Sequence, residues 1–181
     1  MRLILFTVTA SVAVGLILGH GLRGFPLVRP RWTALAFAAV AAQLLPIVGL
    51  AGSILLFASF AALIAFAAVN LRVPGFAPVL IGLALNALVI VANQGMPVTR
   101  DALVASNQSA TLTALVTDGG SKHHLADDDT RLVFLADAIA VGAPIDQAIS
   151  VGDILVHVGV GWFVIAAMPK RRRAAWTRSV A

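Results

Sequence analysis

The sequence contains no cysteine, no tyrosine and no glutamate, and only 12% of its 181 residues are charged. Without cysteine there is neither a disulfide framework nor a thiolate metal site. Without glutamate, all carboxylate chemistry falls to eight aspartates, which lie between Asp101 and Asp153. The scarcity of charge is itself informative. Soluble domains carry about a quarter charged residues, whereas this chain is 60% hydrophobic with a mean hydropathy of +0.96. Such a composition belongs in a bilayer. By length it is one domain, so residues 1–181 read as a single integral membrane unit.

What the chain has in abundance is long apolar runs. A spanning helix needs roughly 20 mostly apolar residues, and five segments approach this: Leu3–Gly19, Trp32–Leu50, Ser53–Val69, Phe76–Ala92 and Val151–Met168. Each is apolar all round, without the alternation of a strand, and a lipid-exposed backbone must satisfy its own polar groups. The connectors "HGLRGFPLVRPR", "GLAGS" and "NLRVPG" carry glycine, proline and arginine as punctuation. The first run lacks a small-x-small cleavage site, so it reads as a retained helix rather than a signal peptide. The expected fold class is all-α: a polytopic membrane protein of five transmembrane helices, with a structured extracytoplasmic segment between helices four and five.

Charge placement sets the orientation. Arg23, Arg29, Arg31, Arg72, "KRRR" at Lys170–Arg173 and Arg178 lie apart from the aspartates. Lysine and arginine are retained on the cytoplasmic side. Residues 20–31, 70–75 and the C-terminus are therefore expected in the cytoplasm of a bacterial plasma-membrane protein. The N-terminus and residues 93–150 are expected outside. Topology and attraction to anionic lipid account for the net charge of +5, which argues against nucleic acid as a partner.

The connection from residue 93 to 150 is too long for a plain linker and reads as a cap. Thr99 as N-cap, with Asp101 in the first turn, predicts one helix over "TRDALVASNQSATLTALV". "DGGSK" breaks it, and "TRLVFLADAIAVGAP" has the length of a re-entrant or interfacial segment. Within "KHHLADDD", His123 or His124 with Asp127, Asp128 or Asp129 has spacing a divalent metal accepts. The plainer reading is a solvated acidic turn with Asp129 as N-cap, and no cofactor is called for. Arg131 and Asp137 flank "LVFLA" and are expected to pair with each other or with headgroups.

Polar residues within the runs form a layer. Asp153 and His157 are four apart and share a helix face, as do Asn86 and Asn93, with Gly82 in line. From the helical rise, Gln43, Ser59, Asn86 and His157 all sit roughly 10 Å below the outer surface, with Thr7 and Thr9 at similar depth. Such a layer means interhelical hydrogen bonding or an outward-open pocket. Asn93, Asn86, Gln43 and Arg131 are its candidate ligand contacts, and Asp153, His157, Asp129 and Asp137 its candidate catalytic groups.

"NQGMPV" at Asn93–Val98, "HHLADDDTRLVFLAD" at His123–Asp137 and "SVGDILVHVG" at Ser150–Gly159 resemble one bacterial multipass membrane family, catalogued as a domain of unknown function. That resemblance covers most of the chain and implies the same architecture, with no activity attached. A narrower likeness is to lipoprotein signal peptidases, small helical membrane aspartyl proteases. One of their carboxylates follows Asn-x-Ala where this chain has Ser150-Val151-Gly152-Asp153. Their Asn-x-x-Asp-Arg motif is matched only by Asp129-Thr130-Arg131. By that likeness Asp153 with Asp129 or Asp137 would share a proton and activate water.

Three functional classes follow. One is binding or assembly, in which cap and pocket recognise a lipid, a small molecule or a partner protein on the outer face. Another is a hydrolase or transferase acting there on a lipid-linked substrate through an aspartate pair. The last is a structural subunit. They are separated by whether Asp153 and His157 meet a second carboxylate in one concave site.

Overall fold

The computed structural model describes residues 2–22, 28–47, 49–120 and 122–170. Five apolar helices form a bundle: α1 (Arg2–Ile17), α2 (Thr33–Leu44), α3 (Gly49–Val69), α4 (Phe76–Asn93) and α7 (Val151–Ala167). Helix α2 packs on α3, α3 on α4, α4 on α7, and α7 on α1. Two of them, α3 and α4, are long and apolar enough to cross a membrane. The other three have 16, 12 and 17 residues.

The helix ends have local causes. Leu45 is extended before Pro46, which disfavours helical backbone in the residue ahead of it and closes α2. Contrary to expectation, "GLAGS" is not a connector. Helix α3 already begins at Gly49, and the turn is the preceding "LPI". Gly52 permits this, because a Cβ there would fall on the Ile47 carbonyl oxygen. At the other end of α3, buried Asn70 donates to the carbonyls of Phe66 and Arg31 (2.8 and 2.9 Å) and accepts from the Arg31 amide (2.8 Å). That one side chain joins the exit of α3 to the entry of α2.

Helices α4 and α7 meet along glycine. Gly82 faces Gly152, and Gly75 faces Gly159 one heptad away. A Cβ on any of the four would overlap backbone or the Asn86 amide. Small residues let helix backbones approach closely where no larger side chain fits. Phe76 locks this seam, edge-on to Phe66 at 5.3 Å and to Phe163 at 5.6 Å.

The cap, residues 94–150, departs from the all-helical expectation. Its described residues form two short helices, α5 (Arg100–Ala105) and α6 (Ser109–Asp118), a 3-10 turn (Val133–Leu135) and four three-residue strands. Strand β1 (Met96–Val98) runs parallel to β2 (His123–Leu125), and β3 (Ile139–Val141) is antiparallel to β4 (Gln147–Ile149). Thr99 does cap α5, its hydroxyl accepting from the Ala102 amide at 3.3 Å. The single helix expected after it is two, broken where Asn107 takes a left-handed conformation. The interfacial segment expected over "LVFLADAIAV" is instead the 3-10 turn followed by a hairpin strand. Cap and bundle share a core, since Met96 and Leu135 pack with Leu56, Val89 and Ile90.

Candidate functional site

The site begins at the first turn of α7. Ser150, fully buried, is the N-cap: its hydroxyl accepts from the Asp153 amide at 2.9 Å, and Asp153 Oδ2 accepts from the Ser150 amide at 3.1 Å. This is a reciprocal capping box with aspartate in place of the usual glutamate. Asn86 on α4 completes the network. Its Nδ2 donates to Asp153 Oδ1 at 2.8 Å, and its Oδ1 accepts from the Ser150 hydroxyl at 2.9 Å. The glycine seam brings Asn86 this near, as Gly152 has no side chain to hold it away.

Asp137 arrives from the cap. Its backbone is pinned beside β1, with its amide donating to the Pro97 carbonyl (3.0 Å) and its carbonyl accepting from the Thr99 amide (3.2 Å). The side chain is only 9% exposed and stands 3.8 Å from His123 Nε2 through Oδ2. Its other oxygen, Oδ1, is buried without a hydrogen-bond partner among the described residues. Burial, and then the charge of Asp153, push this carboxyl up from 3.8 to about 8. At neutral pH it is a protonated acid. His123 is lowered from its ordinary value, first because protein displaces water around it and then because His124 and Lys122 lie near. Asp153 pulls it the other way. About half of the His123 side chain is exposed (54%), so partial hydration limits that depression.

Asp137, Asp153, His123, Asn86, Gln43 and Gln147 line one cavity of about 240 Å³, floored by Leu56, Phe60, Ile90 and Met96. It adjoins a chamber of about 600 Å³ on the cap side, and Lys122, His123, Asp137 and Gln147 belong to both. Lys122 is already committed. Its Nζ donates to the carbonyls of Gln43 and Leu45, both at 2.6 Å, and so occupies the carbonyl end of α2. Arg2 and Asp146 in the larger chamber pair with each other at 3.2 Å. Among the described residues neither Asp137 nor Asp153 forms an ion pair with a lysine or arginine.

The candidates read from sequence divide into groups. Asp153, Asp137, Asn86 and Gln43 come together here, Gln43 also donating to the Ser59 hydroxyl at 3.0 Å. His157 lies elsewhere: Thr7 on α1 holds its Nδ1 at 2.9 Å, in a lateral groove lined largely by apolar side chains of α1 and α7. Asn93 and Arg131 form a clamp, with the Asn93 amide donating to the Arg131 carbonyl (2.9 Å) and accepting from the Arg131 amide (2.8 Å). The pairing expected between Arg131 and Asp137 is not found among the described residues; the Asp137 carboxyl stands beside His123 instead. Asp129 sits in an exposed turn whose capping residue is Asp127, not Asp129. Asp127 Oδ1 accepts from the Asp129 amide and the Thr130 hydroxyl (3.1 and 3.0 Å).

His123 and His124 are neighbours on β2 and point to opposite sides. Among the described residues no three histidine or aspartate side chains converge as a metal-ligand set. Lys122 and Gln147 were not singled out from the sequence. A lone lysine beside two histidines carries no periodic signal, and Gln147 acquires its position only through the hairpin.

No curated protein and no solved structure matches the chain. A family model matches residues 22–165, over α2, α3, α4, the cap and all but the last two residues of α7, and the chain belongs to that family, the family of unknown function DUF5317.

Proposed function

We propose that this is a multipass protein of the bacterial plasma membrane whose aspartate-rich cap faces outward and whose cavity recognises a small ligand. In this reading α1, α2, α3, α4 and α7 all cross. Supporting it, helices α3 and α4 are only 22% and 39% buried within the chain. Leu5, Phe37, Leu50, Ile54 and Val91 on the bundle are all more than half exposed. Apolar surface on this scale needs a covering medium. Arg29, Arg31 and Arg72 gather at the end away from the cap, which carries Asp101 to Asp146. That separation fits cytoplasmic retention of arginine, with the N-terminus outside and the C-terminus inside. The last eleven residues, with most of the basic tail, lie outside the described ones. Helix α2 rises only about 18 Å, short of the roughly 30 Å hydrocarbon core, so the bilayer would thin around it.

The observation that carries the recognition reading is Asp137 Oδ1, buried at the wall of a cavity without a partner among the described residues. An unpaired buried polar atom costs about 1–3 kcal/mol, and a ligand group placed against it recovers that loss. Native mass spectrometry of protein released gently from membranes tests this. The wild type should carry a co-purifying small molecule that Asp137→Leu loses. Identical spectra for the two would refute it.

A second reading attaches to the same pair. Asp137 and Asp153 line one cavity, and Asp137 holds a proton at neutral pH, the division of roles that carboxylate-pair hydrolysis uses. The reaction would be outer-face hydrolysis or group transfer on a lipid-linked substrate. Membranes from cells carrying Asp137→Asn or Asp153→Asn would then accumulate that substrate, and unchanged lipid profiles in both remove the enzyme class.

A further inference from the structure

We propose that the ligand of the small cavity is an organic cation, a protonated primary amine on a short apolar stem, held between Asp137 and Asp153. This rests on the recognition reading above and adds the chemical class.

The charges around the cavity decide the sign of the ligand. The titratable groups facing it and the adjoining chamber are Arg2 from α1, Lys122 and His123 from the start of β2, Asp137 and Asp146 from the cap, and Asp153 from α7. Arg2 and Asp146 neutralise each other. Lys122 keeps its charge, but its Nζ is turned to the carbonyls of Gln43 and Leu45 at the negative end of α2. Asp153 is held by neutral donors, the Asn86 amide and the Ser150 backbone. What remains is two carboxyls and a histidine with a depressed proton affinity. An anion would meet the charge of Asp153, which only neutral donors hold, and a neutral guest would leave Asp137 in its protonated form.

The shape decides what kind of cation. A primary ammonium has three donors, enough to meet the orphaned Asp137 Oδ1, an oxygen of Asp153 and a carboxamide oxygen of Gln43 or Gln147. The apolar part of the lining, Leu56, Phe60, Ile90 and Met96, offers nothing to a hydrated metal but suits a short alkyl stem. The absence of a converged three-ligand set among the described residues points away from a divalent ion. The same ammonium is available from a soluble amine or from an aminophospholipid headgroup.

Binding must release the Asp137 proton. Below about pH 8 the empty site is protonated at Asp137, so affinity should rise close to tenfold per pH unit between about 6 and 8, then level off. Protonation of His123 toward acid pH, which burial disfavours, would also oppose a cation and so does not reverse the trend.

The test is thermal unfolding of the full chain in detergent with n-propylammonium, against n-propanol, tetramethylammonium, magnesium and phosphate. Propylammonium should raise Tm by roughly 5–10 °C at about a hundred times its Kd, more at pH 8 than at pH 6.5, and not at all in Asp137→Asn. If that variant fails to fold, Gln147→Trp fills the cavity instead and must abolish the shift. In nanodiscs, a shift on replacing phosphatidylcholine by phosphatidylethanolamine, competed by propylammonium, assigns the ammonium to a lipid headgroup. A shift from the free amine alone assigns it to a soluble ligand. No propylammonium shift, or one that survives both variants, overturns the proposal. An Asp137-dependent shift from propanol or phosphate overturns the cation class while leaving recognition at the cavity standing.

Discussion

Asp137 is where the chain departs furthest from what an aspartate prefers. Its folded value of about 8 exceeds the ordinary 3.8, so the native state keeps a proton that the unfolded chain releases. Its contribution to stability is complete below about pH 4 and is lost as pH rises toward 8, at about 1.4 kcal/mol per unit. Melting curves between pH 5.5 and 8 should therefore fall more steeply for the wild type than for Asp137→Asn, with the variant the more stable by pH 8. Parallel curves would mean that Asp137 is ordinary. Asp153 tests a different point. Asparagine there can accept only one of the two hydrogen bonds, from Asn86 or from the Ser150 amide, leaving a donor facing a donor at about 1–3 kcal/mol. In urea titrations Asp153→Asn should lose that stability, while Asp128→Asn, in the exposed turn, should unfold as the wild type does. The two aspartates differ in how far sequence revealed them. Asp153 announced itself by standing four residues from a histidine at the mouth of an apolar run. Asp137 sits beside "LVFLA" with nothing to say that its backbone would be hydrogen-bonded to β1 and its side chain turned inward.

At the scale of elements, the glycine seam and the lysine tie hold the site together. Gly152→Ala would put a methyl group on the Asn86 amide oxygen, an overpacking worth about 1–3 kcal/mol. It would also part Asn86 from Asp153, so it should abolish ligand-dependent stabilisation as well as lower Tm. Gly119→Ala, at a glycine with open space around it, is the control for handling and has its own backbone cost. Lys122→Met keeps the apolar stem and removes two charge-assisted bonds to α2, each worth about 1.5–3 kcal/mol. Hydrogen exchange should then quicken in the last turn of α2 and not in α4. Unchanged exchange in α2 would mean the tie holds nothing. The long apolar helices could be read from the sequence because each repeats its signal for many turns. The strands could not, because three residues contain too little alternation to register. The start of α3 was misplaced because glycine and serine read as a turn by composition, while inside a bundle they are small residues that permit close packing.

For the whole molecule, sidedness is the decisive test. The native chain has no cysteine, so single substitutions report without background. A membrane-impermeant maleimide should label Asp128→Cys in intact cells and reach Arg72→Cys only after the membrane is opened. The reverse pattern would turn the cavity to the cytoplasm and remove the outward-facing reading. Ser121, the more natural reporter by sequence, lies outside the described residues. Arginine placement alone supplies the orientation that this labelling tests. Which helices touch was not legible, since apolar runs of similar length carry no address, and only the glycine spacing on α4 and α7 hints at partners.

The pairing of the first helix with the last sets a clock on assembly. Thr7 bonds His157 across 150 residues of chain, and Arg2 reaches Asp146 across 144. A ribosome adding about 5–20 residues per second needs roughly 8–30 s to cover that interval. Throughout it α1 exists without its neighbour, its Thr7 and Ser11 hydroxyls facing whatever surrounds the nascent bundle. Helix α1 is thus made well before the helix it packs on. A stalled chain ending before Val151 should leave α1 open to proteolysis or to capture by insertion machinery, whereas the finished chain should not.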